Sequence, residues 1–89
     1  MKVLKIGALW CPGCLVMKPR WQAIEKELPE LETIYFDYDE DKEMVGKWDV
    51  GDNLPVFIFL DKNNKELERL VGEPSVKEIM NLIEKYKNQ

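Results

Sequence analysis

Between Val3 and Tyr38 the hydrophobic pattern changes its period twice, and this change constrains the fold more than any other feature of the chain. Val3 to Leu9 is an apolar run broken by Lys5 and closed by Trp10-Cys11-Pro12-Gly13, the length and punctuation of a buried strand. From Cys14 to Leu28 the apolar residues Met17, Trp21, Ile24 and Leu28 recur at helical steps. Pro19 falls inside that helix, where its missing N–H predicts a kink, and Pro29 stops it. Thr33 to Tyr38 is then rich in β-branched and aromatic residues and reads as a second strand. Two strands joined by a helical crossover are expected to be parallel, with a right-handed connection.

The rest of the chain adds a different kind of pairing. Asp37 to Asp41 is an acidic run leading into a short helix near Lys42 to Trp48, with carboxylates at the positive end of its dipole. The run lacks the glycine and terminal glutamate spacing of an EF-hand, so it reads as a solvated helix start. Gly51-Asp52-Asn53 is a loop. Leu54-Pro55 opens the strand Val56 to Leu60, and Asp61 to Lys65 has the residues of a hairpin turn before an edge strand at Glu66 to Val71. Gly72-Glu73-Pro74 breaks the chain, and Ser75 with Glu78 forms a capping box for a last helix striped by Val76, Ile79, Met80, Ile83 and Tyr86. The expected order is β-α-β-α-β-β-α: one α/β domain over residues 1–89, a mixed four-stranded sheet with helices on both faces.

Composition narrows the chemistry. No histidine is present among the 89 residues, which removes Ser-His-Asp and Cys-His nucleophile pairs and any His-ligated zinc or haem. Lys and Arg number 13 against 17 Asp and Glu, a net charge of −4 with no basic run, so a phosphate-backbone binder is not expected. With 45% hydrophobic and 34% charged residues the chain is globular and not disordered. Two cysteines are too few for a disulfide-stapled secreted scaffold, and no apolar run approaches the length of a membrane span or signal core. A soluble, cytoplasmic and monomeric protein, with no membrane partner, is the expectation.

Those two cysteines form Cys11-Pro12-Gly13-Cys14, placed where the first strand ends and the first helix begins. A Cys in the first helical turn faces unpaired backbone N–H groups and the positive end of the dipole. Both favour a thiolate, the species that attacks a disulfide. Cys11, near the N-cap, is expected to be the exposed nucleophile, and Cys14, one turn on, the more buried resolving thiol. Pro12 suits the first helical position, and Gly13 lets a substrate backbone come close. Two other uses of the pair remain open at this level. A structural disulfide would close so short a loop that it constrains the unfolded chain little. A metal site would need two further ligands, which a second subunit could bring.

With these residues in view, the chain resembles the thioredoxin superfamily over nearly its whole length. Trp10-Cys11-Pro12-Gly13-Cys14 is similar to the thioredoxin Trp-Cys-Gly-Pro-Cys motif with its middle pair exchanged. Pro19 matches the kink proline of the family's active-site helix, Leu54-Pro55 its cis-proline element, and Gly72 the glycine before its last helix. The resemblance implies a minimal, glutaredoxin-sized thioredoxin fold and a thiol–disulfide oxidoreductase using Cys11 and Cys14. It also implies a cis Pro55 that, with Leu54, contacts substrate backbone. Partners would be disulfide-containing proteins and an electron-donating reductase or glutathione, with no organic cofactor and no metal. Trp10 is expected to flank the site, where a large aromatic excludes water.

Some residues depart from the family pattern. The family's buried Asp six residues before the first Cys is Lys5 here. Its cation is expected either to favour a thiolate or to reach solvent from a strand end. Cys-Pro-x-Cys is also the glutaredoxin order, yet Asn53-Leu54-Pro55 and Val71-Gly72-Glu73-Pro74 reproduce the glutathione-holding segments of that family poorly. Lys18 and Lys47 could face a glutathione carboxylate or simply be solvated. Trp21, Tyr35, Phe36, Phe57 and Phe59 read as core, and Trp48 as core or groove border. The alternatives are therefore a glutathione-dependent reductase, or a thioredoxin-like binding module without catalysis.

Overall fold

A computed structural model describes residues 1–88. In chain order the elements are β1 (Lys2–Gly7), α1 (Pro12–Glu27), β2 (Glu32–Asp37), α2 (Lys42–Lys47), β3 (Val56–Leu60), β4 (Glu66–Val71) and α3 (Val76–Tyr86). The sheet order is β2-β1-β3-β4. β1 and β2 run parallel in the register Lys5↔Tyr35, joined by the α1 crossover. β1 and β3 are antiparallel with Lys5 opposite Phe57, and β3 and β4 form the hairpin. The expected β-α-β-α-β-β-α order and mixed sheet are what the chain adopts.

All five residues of β3 are buried, as expected of a strand paired on both edges and covered on both faces. Its alternation divides the core. Phe57 and Phe59 pack with Val3, Met17, Trp21, Ile24, Ile79 and Ile83 under α1 and α3. Val56, Ile58 and Leu60 pack with Leu4, Ile6 and Val50 on the face that Val45 of α2 and Trp48 cover. Trp48 thus packs, partly buried, against this core and does not line the groove at Cys11.

Two expectations need correction, the end of the first strand and the place of Tyr35. β1 stops at Gly7, not Leu9: the Cys11 N–H donates to the Ala8 carbonyl at 3.2 Å, closing a turn that leaves Leu9 94% exposed. The first helix starts at Pro12 with Cys11 as its cap, as the fit of Pro12 to the first helical position implies, and runs unbroken through Pro19 to Glu27. Tyr35 is exposed, not core, because β2 is an edge strand in which no residue is fully buried.

Turn chemistry sets the remaining connections. Asp61 Oδ1 accepts the Asn63 and Lys65 N–H groups at 2.8 and 2.9 Å, and these bonds hold its carboxyl below its ordinary range. The acidic run is not merely solvated: Asp37 Oδ1 accepts from Asp39 N and Glu40 N, and Asp41 Oδ2 accepts from Asp37 N. Ser75 and Glu78 complete the capping box of α3. Arg20 Nη1 of α1 donates to the Glu73 and Pro74 carbonyls at 3.0 Å each, tying the β4–α3 loop to α1.

Phe59 is fully buried between β3 and the two helices. Phe59→Ala should cost about 3–5 kcal/mol in denaturant unfolding, whereas Ser75→Ala, which removes only the cap, should cost about 1 kcal/mol. A Phe59→Ala cost no larger than that of Ser75→Ala would contradict this division of the core.

Candidate active site

Cys11 sits just past the C-terminal end of β1 as the N-cap of α1, with extended backbone at φ −91°, ψ 111°. Its Sγ accepts the Cys14 N–H at 3.2 Å. Pro12 follows in the first turn, where a missing N–H leaves no helical bond unmade. Both cysteines are free thiols, one helical turn apart.

The cis Leu54–Pro55 bond brings a third element to this end of the sheet. Pro55 is buried, and its Cδ lies 3.1 Å from where a Cβ on Gly13 would stand. The Glu73 carboxylate approaches the same point to 3.2 Å. A side chain at Gly13 would therefore be tight against Pro55 and Glu73, which would have to shift by a few tenths of an ångström. Gly72, at φ 98°, donates its N–H to the Pro55 carbonyl at 2.9 Å, so the β4–α3 loop and the cis-proline loop are joined. Trp10, half-exposed, donates its indole N–H to Asp39 Oδ2 at 2.7 Å and meets Tyr38 edge to face. Trp10, Cys11, Pro12, Gly13 and Leu54 together line one groove, whereas Pro55, against Gly13, lines the neighbouring recess on Cys14.

The expected order of exposure is reversed. Cys11 is 3% exposed, whereas Cys14 is half-buried. Two local causes account for this. Cys11 turns back onto the first turn of α1, while Cys14 lies over Gly7, where a Cβ would stand 2.9 Å from its Sγ. The space that Gly7 leaves widens into a recess of about 480 Å³ lined by Cys14, Leu9, Leu15, Lys18 and Tyr35. Burial comes first in pushing the Cys14 thiol up to about 11, followed by its hydrogen bond with Cys11, with the negative charge of Asp37 a smaller cause. Burial, then Asp37, also raises the Tyr35 phenol.

Lys5 neither escapes to solvent nor stands as a lone cation beside the thiols. It pairs with Glu25 at 2.6 Å and lies 5.5 Å from the Trp21 ring centroid. Its charge is matched within the pair. Lys18 is on the rim of the Cys14 recess; Lys47 lies over Trp48, away from the motif. Among the described residues no cluster of three His, Cys, Asp or Glu side chains could hold a metal ion, and no helix is long and apolar enough to cross a membrane.

Gly7, Asp52 and Glu73 belong to this region beside the residues that the motif marks. A glycine inside an apolar strand is a legible sign of close approach, and Gly7 carried it. Nothing local marks Glu73, which reaches Gly13 only through the tertiary fold.

A family model described as thioredoxin matches residues 1–87. The chain belongs to the thioredoxin family. It is 35% identical over 65 residues to a thioredoxin H-type of Picea mariana, covering 73% of this chain and 50% of that protein. Thioredoxin H1 of Arabidopsis thaliana is 33% identical over 70 residues, 79% of this chain and 60% of that one. The chain thus spans about half to three-fifths of these relatives' length. The X-ray structure of Fasciola hepatica thioredoxin superposes with a TM-score of 0.85 at 30% identity, covering 96% of this chain and 79% of that one. Thioredoxin membership and a Cys11–Cys14 pair of the thiol–disulfide exchange type agree with the geometry of the groove.

The raised Cys14 thiol has a pH consequence. Alkylation proceeds through the thiolate, so in Cys11→Ser protein Cys14 should react slowly with iodoacetamide at pH 7, its rate rising about tenfold per pH unit through pH 9. Removing Cys11 removes two raising influences, which brings the midpoint below about 11. Burial remains, which keeps the midpoint above the ordinary 9.0. A midpoint at or below 9.0, followed by mass spectrometry across pH, would contradict the assigned cause.

Proposed function

We propose that this chain is a protein-disulfide reductase of the thioredoxin type, with Cys-Pro-Gly-Cys as its redox motif. One observation carries the reading: Cys11, a helix N-cap one turn from a second free thiol, lines the groove walled by the cis-proline loop. Cys11 attacks one sulfur of a target disulfide as its thiolate. The S–S bond of the target breaks, one target sulfur leaves as a thiolate and takes a proton, and the other is held to Cys11 as a mixed disulfide. Cys14 then loses its proton and attacks Cys11 Sγ. The second target thiol departs, and Cys11–Cys14 is left oxidised. Two electrons have passed from the protein to the target.

In this reading Leu54 and Pro55 align the target backbone, Trp10 shields the mixed disulfide, and Pro12 and Gly13 keep the first turn open to it. The raised Cys14 thiol supports a resolving role, since it holds its proton until attack is required. A reductase or glutathione supplies the two electrons that reset the pair. The reducing cytoplasm is the compartment in which such a pair cycles through free thiols.

The test is a redox titration of the pair against glutathione buffers, with intact mass as readout. Reversible two-electron oxidation near or below the cytosolic glutathione potential is expected. A pair that never closes, or that stays closed under strong reductant, would sink the proposal. With a disulfide substrate, Cys11→Ser should abolish turnover, whereas Cys14→Ser should accumulate a mixed disulfide on Cys11. Accumulation on Cys14 in the Cys11→Ser protein instead would reverse the assigned roles.

A further inference from the structure

The groove that opens on Cys11 carries charge of one sign. Leu54 and Val71 form its apolar wall, and its charged side chains are Asp52 and Glu73. Glu73 Oε2 overhangs Gly13, two residues from Cys11. Arg20 contacts the main chain of this loop, through the Glu73 and Pro74 carbonyls, rather than the carboxylate. Among the described residues neither Asp52 nor Glu73 is in an ion pair, and no lysine or arginine lines the groove. Asp39, bonded to the Trp10 indole, adds a third carboxylate at the rim. The recess on Cys14 differs: Lys5 and Lys18 line it with Glu25.

From this asymmetry we infer that the Cys11 groove selects protein disulfides set among lysine or arginine side chains and disfavours anionic ones, glutathione disulfide included. The inference rests on the reading of Cys11 as the attacking thiol and adds the class of substrate. A basic residue beside the target cysteine meets Asp52 and Glu73 on docking, while Val71, which is 55% exposed, takes an apolar neighbour. A carboxylate in that place meets two like charges before its sulfur reaches Cys11. Solvent screens exposed charges, so each contributes modestly, and the sum acts chiefly on the encounter rate. Electron flow is unchanged from the scheme above; only the approach is biased.

The experiment uses two short disulfide-linked peptides that differ only in lysine or glutamate beside the cysteine. Each is reduced in a single turnover by the pre-reduced protein. The lysine-to-glutamate rate ratio is measured for wild type and for the Asp52→Asn/Glu73→Gln double variant. The variant's ratio reports the intrinsic reactivity of the peptides, so the comparison isolates the groove. At about 20 mM salt the wild-type ratio should exceed the variant's by about tenfold, and the difference should vanish near 500 mM. The salt arm on wild type alone carries the test if the variant folds poorly. Equal ratios in the two active proteins, or a wild-type ratio insensitive to salt, would overturn the specificity alone. A wild type that reduces neither peptide would overturn the underlying oxidoreductase reading, and this inference with it.

Discussion

Strand β3 pairs with β1 on one side and β4 on the other, and both layers of core are built on its two faces. Because it is enclosed, its first residue cannot wander. Pro55, immediately before Val56, is therefore delivered to the same end of the sheet as the start of α1, where its ring packs against Gly13. The cis-proline loop, the first turn of α1 and, through the Gly72-to-Pro55 hydrogen bond, the β4–α3 loop become one surface. Burial of five consecutive apolar residues in the middle of the sheet thus sets the walls of a groove whose own residues are largely exposed.

Within that surface the two cysteines differ through position alone. Cys11 caps a helix and its sulfur is turned onto the Cys14 N–H, in a pocket with little exposure. Cys14 is within the helix, over Gly7 at the end of β1, and lines a separate recess. The two cysteines therefore line separate openings of different charge. Neither burial nor charge follows from the four-residue motif, since both are set by what the β1 end, the loop before β3 and the β4–α3 loop place around it.

Much of the order of elements was readable because it depends on local periodicity. The helical stripe of α1, the unbroken apolar run of β3 and the capping box of α3 each announce themselves within a few residues. The misreadings share a cause. Leu9 continues an apolar run, but a turn hydrogen bond from Cys11 takes it out of the strand. Tyr35 has core-like spacing, but β2 lies at the sheet edge, which α1 leaves uncovered. Periodicity identifies which residues could face a core; coverage decides which of them do.

The amino-acid sequence determined the elements, their order and the thiol pair at a helix start, because these follow from spacing, caps and proline positions along a short stretch of chain. Only the tertiary structure decided which thiol is shielded, that Lys5 is matched by Glu25, and that Asp52 and Glu73 stand at the Cys11 groove. Lys5 and Glu25 are separated by a whole crossover, and Glu73 lies far along the chain from Gly13. Contacts of that separation depend on how layers pack. Packing is a property of the whole core, which no local pattern of residues can specify.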